Sequence, residues 1–266
     1  MIDFERLEKE KAILREKFLN AKPFPHIAID EFLENGKSEK LYEAIPSPKD
    51  EDKSRDYIFA KNKFEFSSMM NFSDDFQELY NELTSKKFAK LISYITNEDI
   101  FIDPKFHGGG LHMGGENSYL NMHADFNYHP VHNNWFRNLN MLLYLNKDWK
   151  PEYGGNLKLK DKRTKERTEV EVPMNRLAIM HCRGYTLHGY DKINFPKDTF
   201  RTSIAIYGYT VHKEQLEKQR STYWIDEKNP LKHFAARLIL PMVNLKNNLL
   251  GSSTAKHYQD DKKKLV

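Results

Sequence analysis

The sequence holds a single cysteine, Cys182, among 266 residues. An intramolecular disulfide is therefore excluded, as is a structural zinc site built on several thiolates, and the chain suits a reducing compartment. Cys182 ends the apolar run LAIMHC, where a thiol reads as a buried, inert group rather than an activated nucleophile. No apolar run approaches the roughly 20 residues that a membrane span needs. The opening MIDFERLEKEKAILREKF is dense in both charge signs and lacks the apolar stretch and small-residue cleavage site of a secretory leader, so the expected address is cytoplasmic. Glycine is scarce as well. Five of the 12 fall in His107–Gly115 (HGGGLHMGG), at a spacing that fits neither a phosphate-binding P-loop nor G-x-G-x-x-G, and the run reads as a turn or flexible loop near a barrel mouth. A strong charge imbalance is also missing: the net charge is +4, and its basic excess lies in residues 212–266, with 11 Lys/Arg against 6 Asp/Glu. That places the excess outside the core, in a segment that reads as solvated surface, and no basic-aromatic stripe supports a nucleic-acid partner.

What remains is an ordinary globular composition, 39% hydrophobic and 30% charged. Phe4, Leu7, Leu14 and Phe18 recur at helical spacing. Pro23 and Pro25 block helix, and His26 to Asp30 alternates as a short strand. Residues 38–45 and 74–96 read as helices with Ser73 and Ser85 as N-caps, and 46–56 as a polar loop. From about residue 100 short β-rich runs take over, at 118–123, 137–146, 156–160, 168–172, 176–182 and 201–211. This spacing predicts a sandwich or jelly-roll barrel. After 212 the pattern turns helical, with an apolar stripe through Leu231, Phe234, Ala235, Leu238, Met242, Leu245 and Leu249 that is broken at Pro241. The expectation is one domain over 1–266: a mainly β barrel core at about 100–212, helical flanks at 1–99 and 213–250, and a polar tail at 251–266.

His123 and Asp125 form an H-x-D pair. On a strand, residues i and i+2 point to one side, so both can reach one metal ion. Composition alone supplies about one or two such pairs in a chain like this, and a second occurs at His212/Glu214. Context separates them. Only the first is followed by the strand RNLNMLLYLN, a Gly154-Gly155 turn, an apolar strand ending near His188-Gly189, and Arg201 on RTSIAIYGYTV. Two histidines and one carboxylate, with coordination positions left open, make the facial triad of non-haem iron oxygenases, and the metal set is His123, Asp125 and His188. His129 and His132 are rival ligands without that downstream order. Arg201, Ser203, Ala205 and Tyr207 share one face of a period-2 strand. A buried Arg201 needs an anionic partner, either a local Asp or Glu or a dicarboxylate ligand.

These residues resemble a known family. His123-x-Asp125, Tyr144-Leu-Asn-Lys-Asp-Trp149, Gly154-Gly155-Asn-Leu, His188-Gly189 and Arg201-x-Ser203 are similar to the prolyl 4-hydroxylase-like group of the 2-oxoglutarate/Fe(II)-dependent oxygenase superfamily, and PFPHIAIDEFL at 23–33 resembles the opening strand of such domains. The resemblance spans about 100–212 well and 23–33 weakly. It implies a double-stranded β-helix, a jelly-roll or cupin-like barrel flanked by helices. It implies Fe(II) on His123, Asp125 and His188, with 2-oxoglutarate held by Arg201, Tyr144 and Ser203. With O2 as the other co-substrate, a C–H bond is hydroxylated as succinate and CO2 are released. The segment between His188 and Arg201 is longer than the group's pattern, which makes the 188–200 loop a candidate substrate contact, and the 213–250 helices match nothing in the prolyl hydroxylases.

On this reading the chain is a dioxygenase acting on a protein residue, a free amino acid, or a small metabolite or glycan precursor. Its partner is a small-molecule or peptide substrate, with no nucleic acid and no membrane span. Tyr128, Trp135 and Arg137, in or beside the loop FNYHPVHNNWF, are candidate substrate contacts, and the competing reading of that loop is aromatic packing on the rim. The functional alternative is a non-catalytic jelly-roll module that binds a metal or a sugar.

Overall fold

Helix α1 (Phe4–Asn20) forms where the helical spacing predicts it. Asp3 caps it by accepting from the Arg6 N–H, and Leu7, Leu14 and Phe18 are its buried stripe. The computed structural model describes residues 1–49, 59–214, 216–218 and 220–225. Strand β1 (His26–Ile29) and helix α2 (Lys37–Glu43) follow, then β2 (Ala60–Phe66). The helical stretch expected over 74–96 is two helices: α3 (Asp74–Leu83) and α4 (Lys86–Thr96). Both caps hold, since the Ser73 and Ser85 hydroxyls accept from the Phe76 and Phe88 N–H groups. Ser85 starts a new helix because its own backbone is extended, which interrupts the helical run.

The remaining strands are β3 (Phe101–Ile102), β4 (Gly110–Ala124), β5 (Trp135–Tyr144), β6 (Leu157–Asp161), β7 (Arg167–Val170), β8 (Arg176–His181), β9 (Thr186–Tyr190), β10 (Arg201–Val211) and β11 (Tyr223–Trp224). All pair antiparallel, in the order β1-β8-β5-β10-β4-β9-β6-β7, with β2 and β11 on β4 and β3 on β10. The result is a nearly closed, barrel-like sheet, the jelly-roll double-stranded β-helix. Its two faces differ in chemistry. Leu111, Met113, Leu139, Met141, Leu143, Ile204 and Ile206 join the main core with Leu7, Phe18, Leu79, Phe88 and Ile92 of the helices. Each such side chain stabilises the packing by about 1.5–3 kcal/mol relative to exposure. The opposite face carries a smaller cluster that includes Leu157, Leu159, Val170, Ala178 and Met180, and beside it the alternate residues Arg201, Ser203, Ala205 and Tyr207 line a cavity.

Three expectations change. The Gly-rich run is largely strand rather than loop: Gly110, Gly114 and Gly115 lie in β4, where the sheet brings other groups too close for a side chain. Residues 213–214, 216–218 and 220–225 form bends and β11 instead of a helix, because Tyr223 and Trp224 pair with Ala124 and His123. Strands β2 and β9 were not separately legible, although β9 carries the expected His188. The rest of the expected C-terminal helix with its apolar stripe, the tail 251–266, and 50–56 of the polar loop lie outside the described residues. No helix among the described residues is long and apolar enough to cross a membrane.

Gly189 shows how tightly β9 sits on β4. A Cβ there would fall 2.5 Å from the Leu120 carbonyl oxygen and 2.9 Å from Asn121 backbone atoms. Backbone cannot yield as a side-chain tip can, so Gly189→Ala is expected to lower unfolding stability by about 1–3 kcal/mol. Urea denaturation measures this, and an unchanged midpoint contradicts the close approach.

Candidate metal and co-substrate site

The end of β4 and the middle of β9 meet in register, with His123 opposite His188. Asp125, two residues beyond His123, turns to the same side, so that ligand atoms of His123, Asp125 and His188 lie within 4.8 Å of one another. This is the one such grouping of three or more found among the described residues. His123 Nε2 is 3.4 Å from Asp125 Oδ1, and His188 Nε2 is 3.6 Å from Asp125 Oδ2. Nδ1 of His123 lies 2.9 Å from the Asn121 carbonyl oxygen. A carbonyl only accepts, so Nδ1 carries the proton and Nε2 presents its lone pair to the cluster. Burial, followed by the neighbouring His123, pushes the His188 pKa down to about 3, which keeps that imidazole neutral. Burial alone would push the Asp125 carboxyl up, but Arg137 and the two histidines outweigh it and hold the group well below the usual carboxylate range. The set is thus two imidazoles and one carboxylate, a donor set suited to a divalent first-row cation.

Asp125 is held from behind. Asn140 Nδ2 donates to its Oδ2 at 3.0 Å and lies 3.3 Å from His188 Nε2. Arg137 NH1 is 2.9 Å from the same carboxylate oxygen, an ion pair without the alignment of a hydrogen bond, for the guanidinium nitrogens have no hydrogen-bond partner among the described residues. Arg137 is fully buried, its guanidinium carbon 3.7 Å from the Phe126 ring centre and 3.6 Å from that of Tyr207. Stacking between two aromatic faces together with a carboxylate compensates its lost hydration. Trp224 of β11 stacks on His123 at 4.6 Å and on Phe59 at 5.5 Å.

At the other end of the cavity, Arg201 Nε donates to the Gly155 carbonyl oxygen at 2.7 Å, and NH2 donates to the Tyr144 hydroxyl at 3.3 Å. Gly154 and Gly155 both have positive φ, 66° and 77°, and a Cβ on Gly155 would come within 3.0 Å of Arg201 Cδ. The Gly-Gly turn therefore gives Arg201 its room as well as an acceptor. Ser203 sits directly across the ladder from Tyr144. The local Asp or Glu partner that Arg201 might have had is not found among the described residues, and the guanidinium is only 6% exposed.

Of the residues expected in the site, His123, Asp125, His188, Arg201 and Ser203 line one cavity, with the Tyr144 hydroxyl on Arg201. Tyr128, Trp135 and Arg137 do not line it. The Tyr128 hydroxyl accepts from the Leu216 N–H at 2.8 Å, Trp135 stacks on His132 at 4.0 Å, and Arg137 lies behind Asp125. His129 is bonded to Asp103, with the Val131 and His132 N–H groups on its Nδ1, so this loop packs on the rim and its histidines stay outside the cluster. His212 is engaged with Thr210 instead. Missed were Asn140, Lys63, His112, Tyr190 and Trp224. Asn140 was legible, because it shares β-parity with Tyr144 on RNLNMLLYLN. Lys63 and Trp224 were not, because their strands are placed by pairing with β4 and carry no period of their own.

Residues 108–209 match the family model described as the 2OG-Fe(II) oxygenase superfamily. No curated protein matches the chain. Solved structures similar in fold include a prolyl hydroxylase from Trichoplax adhaerens in complex with a hypoxia-inducible-factor oxygen degradation domain peptide fragment, at 16% identity and TM-score 0.53, covering 77% of this chain and 91% of that one. A prolyl 4-hydroxylase from Phytophthora capsici is similar at 16% identity and TM-score 0.54, covering 90% and 76%. A prolyl 4-hydroxylase from Pseudomonas putida follows at 13% identity and TM-score 0.50, covering 77% and 100%.

The buried Arg137–Asp125 pair predicts strong coupling. Arg137→Met is expected to cost about 3–5 kcal/mol, because it strands a buried carboxylate. In an Asp125→Asn background the same change is expected to cost less, by a coupling of about 0.5–3 kcal/mol. Denaturation of the metal-free proteins around this double-mutant cycle measures it, and strict additivity contradicts the pairing.

Proposed function

We propose that this Fe(II)- and 2-oxoglutarate-dependent oxygenase holds its metal on His123, Asp125 and His188 and hydroxylates an unactivated C–H bond of a protein residue, a free amino acid, or a small metabolite or glycan precursor. The observation that carries the proposal is the pairing, in one cavity, of an open-sided His-Asp-His cluster with a buried arginine that has no carboxylate partner among the described residues. The donor chemistry fits Fe(II): two imidazoles and an ionised carboxylate occupy one side and leave the other free, where a structural zinc site would be closed by a fourth ligand. The cavity also fits 2-oxoglutarate. The distal carboxylate would meet Arg201, whose Nε and NH2 are steadied by Gly155 and Tyr144, with Ser203 beside it.

When bound, Fe(II), 2-oxoglutarate and O2 supply the oxidising chemistry, yielding succinate, CO2 and a hydroxylated substrate. The chain's own contribution is placement. Asn140 and Arg137 hold Asp125 Oδ2 beside His188, which fixes the carboxylate with Oδ1 towards His123. The Asn121 carbonyl fixes the His123 tautomer, and the Trp224 ring limits its rotation. Leu142, Leu157 and Ala205 also line the cavity, and their apolar surface would strengthen a carboxylate–guanidinium contact there. The prolyl hydroxylase neighbours support a peptide as one class of substrate.

Anaerobic titration of the apo protein with Fe(II) and 2-oxoglutarate tests the assignment. A visible metal-to-ligand charge-transfer band is expected in the wild type and is expected to be lost in His188→Ala. Arg201→Met is expected to weaken apparent 2-oxoglutarate affinity by about tenfold or more, the equivalent of one charged hydrogen bond. A folded wild type without the band refutes the reading.

A further inference from the structure

Strand β2 lies outside the matched segment 108–209, yet it delivers a cation to the cavity. It pairs with β4 so that Lys63 faces Gly114 and Glu65 faces His112. Strand β10 pairs with the other edge of the same β4 residues, Arg201 with Gly114 and Ser203 with His112. Residues directly opposite in an antiparallel ladder share a face, so Lys63 stands on the cavity face, two strands from Arg201, with only a glycine between them. Lys63 lines the cavity together with His112, Asp125, Asn140, His188 and Tyr207. Its Nζ lies 2.5 Å from Glu65 Oε1. That carboxylate is half exposed and does not line the cavity, whereas the Lys63 side chain is 21% exposed. Burial disfavours the ammonium, but Glu65 overcomes it and keeps the group charged.

Two polar features of the cavity then stand outside these pairings. If 2-oxoglutarate occupies the site, its carboxylates are matched by the metal and by Arg201, and Asp125 is matched by Arg137. Lys63 remains a cation facing the cavity with its partner at the rim. In addition, Asn140 lines the same cavity, and its buried Oδ1 accepts no hydrogen bond among the described residues. A buried acceptor without a donor and a cavity cation whose carboxylate is solvent-exposed are both conditions that a ligand relieves.

We propose that Lys63 is the substrate-anion site: the substrate is a molecule bearing a carboxylate or phosphate that exchanges with Glu65 on Lys63, and bearing an O–H or N–H donor for Asn140 Oδ1. A partly exposed ion pair between neighbours on one strand is weak and readily exchanged, so Glu65 keeps the cation charged in the free enzyme without blocking it. This rests on the oxygenase reading and deepens it from any C–H substrate to an anionic one.

The test uses the full chain loaded with Zn(II), as a redox-inert metal, and saturating 2-oxoglutarate, so that Arg201 is occupied. Calorimetric titrations with L-aspartate, with its dimethyl ester and with inorganic phosphate separate a carboxylate source from a phosphate source and from a control that lacks any anionic group. Wild type is expected to bind at least one of the two anions and not the ester, with affinity falling as salt rises. Lys63→Met is expected to weaken that binding at least tenfold while leaving 2-oxoglutarate affinity unchanged, and Lys63→Arg to retain most of it. Equal anion binding by wild type and Lys63→Met overturns the proposal, as does the absence of binding by either anion at millimolar concentration. A loss of 2-oxoglutarate affinity in Lys63→Met also overturns it, by placing Lys63 on the co-substrate. The charge-transfer band of the wild-type Fe(II) complex is the separate check on the oxygenase reading: with the band present, a negative anion result removes only the Lys63 assignment.

Discussion

Strand β4 is paired along both edges, and the site depends on that register. At one end, Gly110–Gly114 bonds to β10 on one side and 111–114 bonds to β2 on the other; at the far end, β9 and β11 meet Leu120–Ala124. A one-residue slip of a strand turns every side chain to the opposite face. Slipping β9 would remove His188 from His123, and slipping β10 would bury Arg201 against the helices and expose Ile204 to the cavity. The helical layer resists such slips, because Leu111, Met113, Ile204 and Ile206 are already packed on the outer face. The apolar core thus sets the geometry of the polar cluster on the other side of the same strands.

A carboxylate brought into such a place has to be compensated. Asp125 is balanced by Arg137, and Arg137 in turn is stacked between Phe126 and Tyr207, so one carboxylate of the cluster draws a loop residue, a β5 residue and a β10 residue into a fixed arrangement. This chain of dependence explains why Arg137 lies behind the cluster instead of at the entrance. An arginine beside an aromatic loop reads, in one dimension, as a surface contact, and only the closure of β5 on β10 shows that it has no route to solvent.

The two ends of the cavity differ in how they handle charge. At the cluster, anion and cations are matched within the protein. At Arg201 the protein supplies steadying acceptors, the Gly155 carbonyl and Tyr144 hydroxyl oxygens, but no countercharge among the described residues. A buried guanidinium left this way is costly by itself and becomes favourable with a bound anion. Lys63 repeats the theme on the neighbouring strand, with Glu65 at the rim as its counterion.

The sequence by itself determined the elements whose signal is local: α1 from its apolar period, the Ser73 and Ser85 caps from their side-chain chemistry, and β5 and β10 from their alternating runs. It also placed His123, Asp125 and His188 in order along the chain, because H-x-D needs only a strand's period of two and the later His188-Gly189 and Arg201 follow it in sequence. Tertiary structure decided what depends on partners. Gly110–Gly115 read as a loop because glycine disfavours strands, and pairing to β10 and β2 overrode that preference. Strands β2 and β11 have no convincing pattern of their own, so Lys63 and Trp224 reach the site only through β4. Residue order along the chain was enough to name the three residues of the cluster, whereas which cation pairs with which anion depends on distances across strands far apart in sequence, and these only the folded sheet sets.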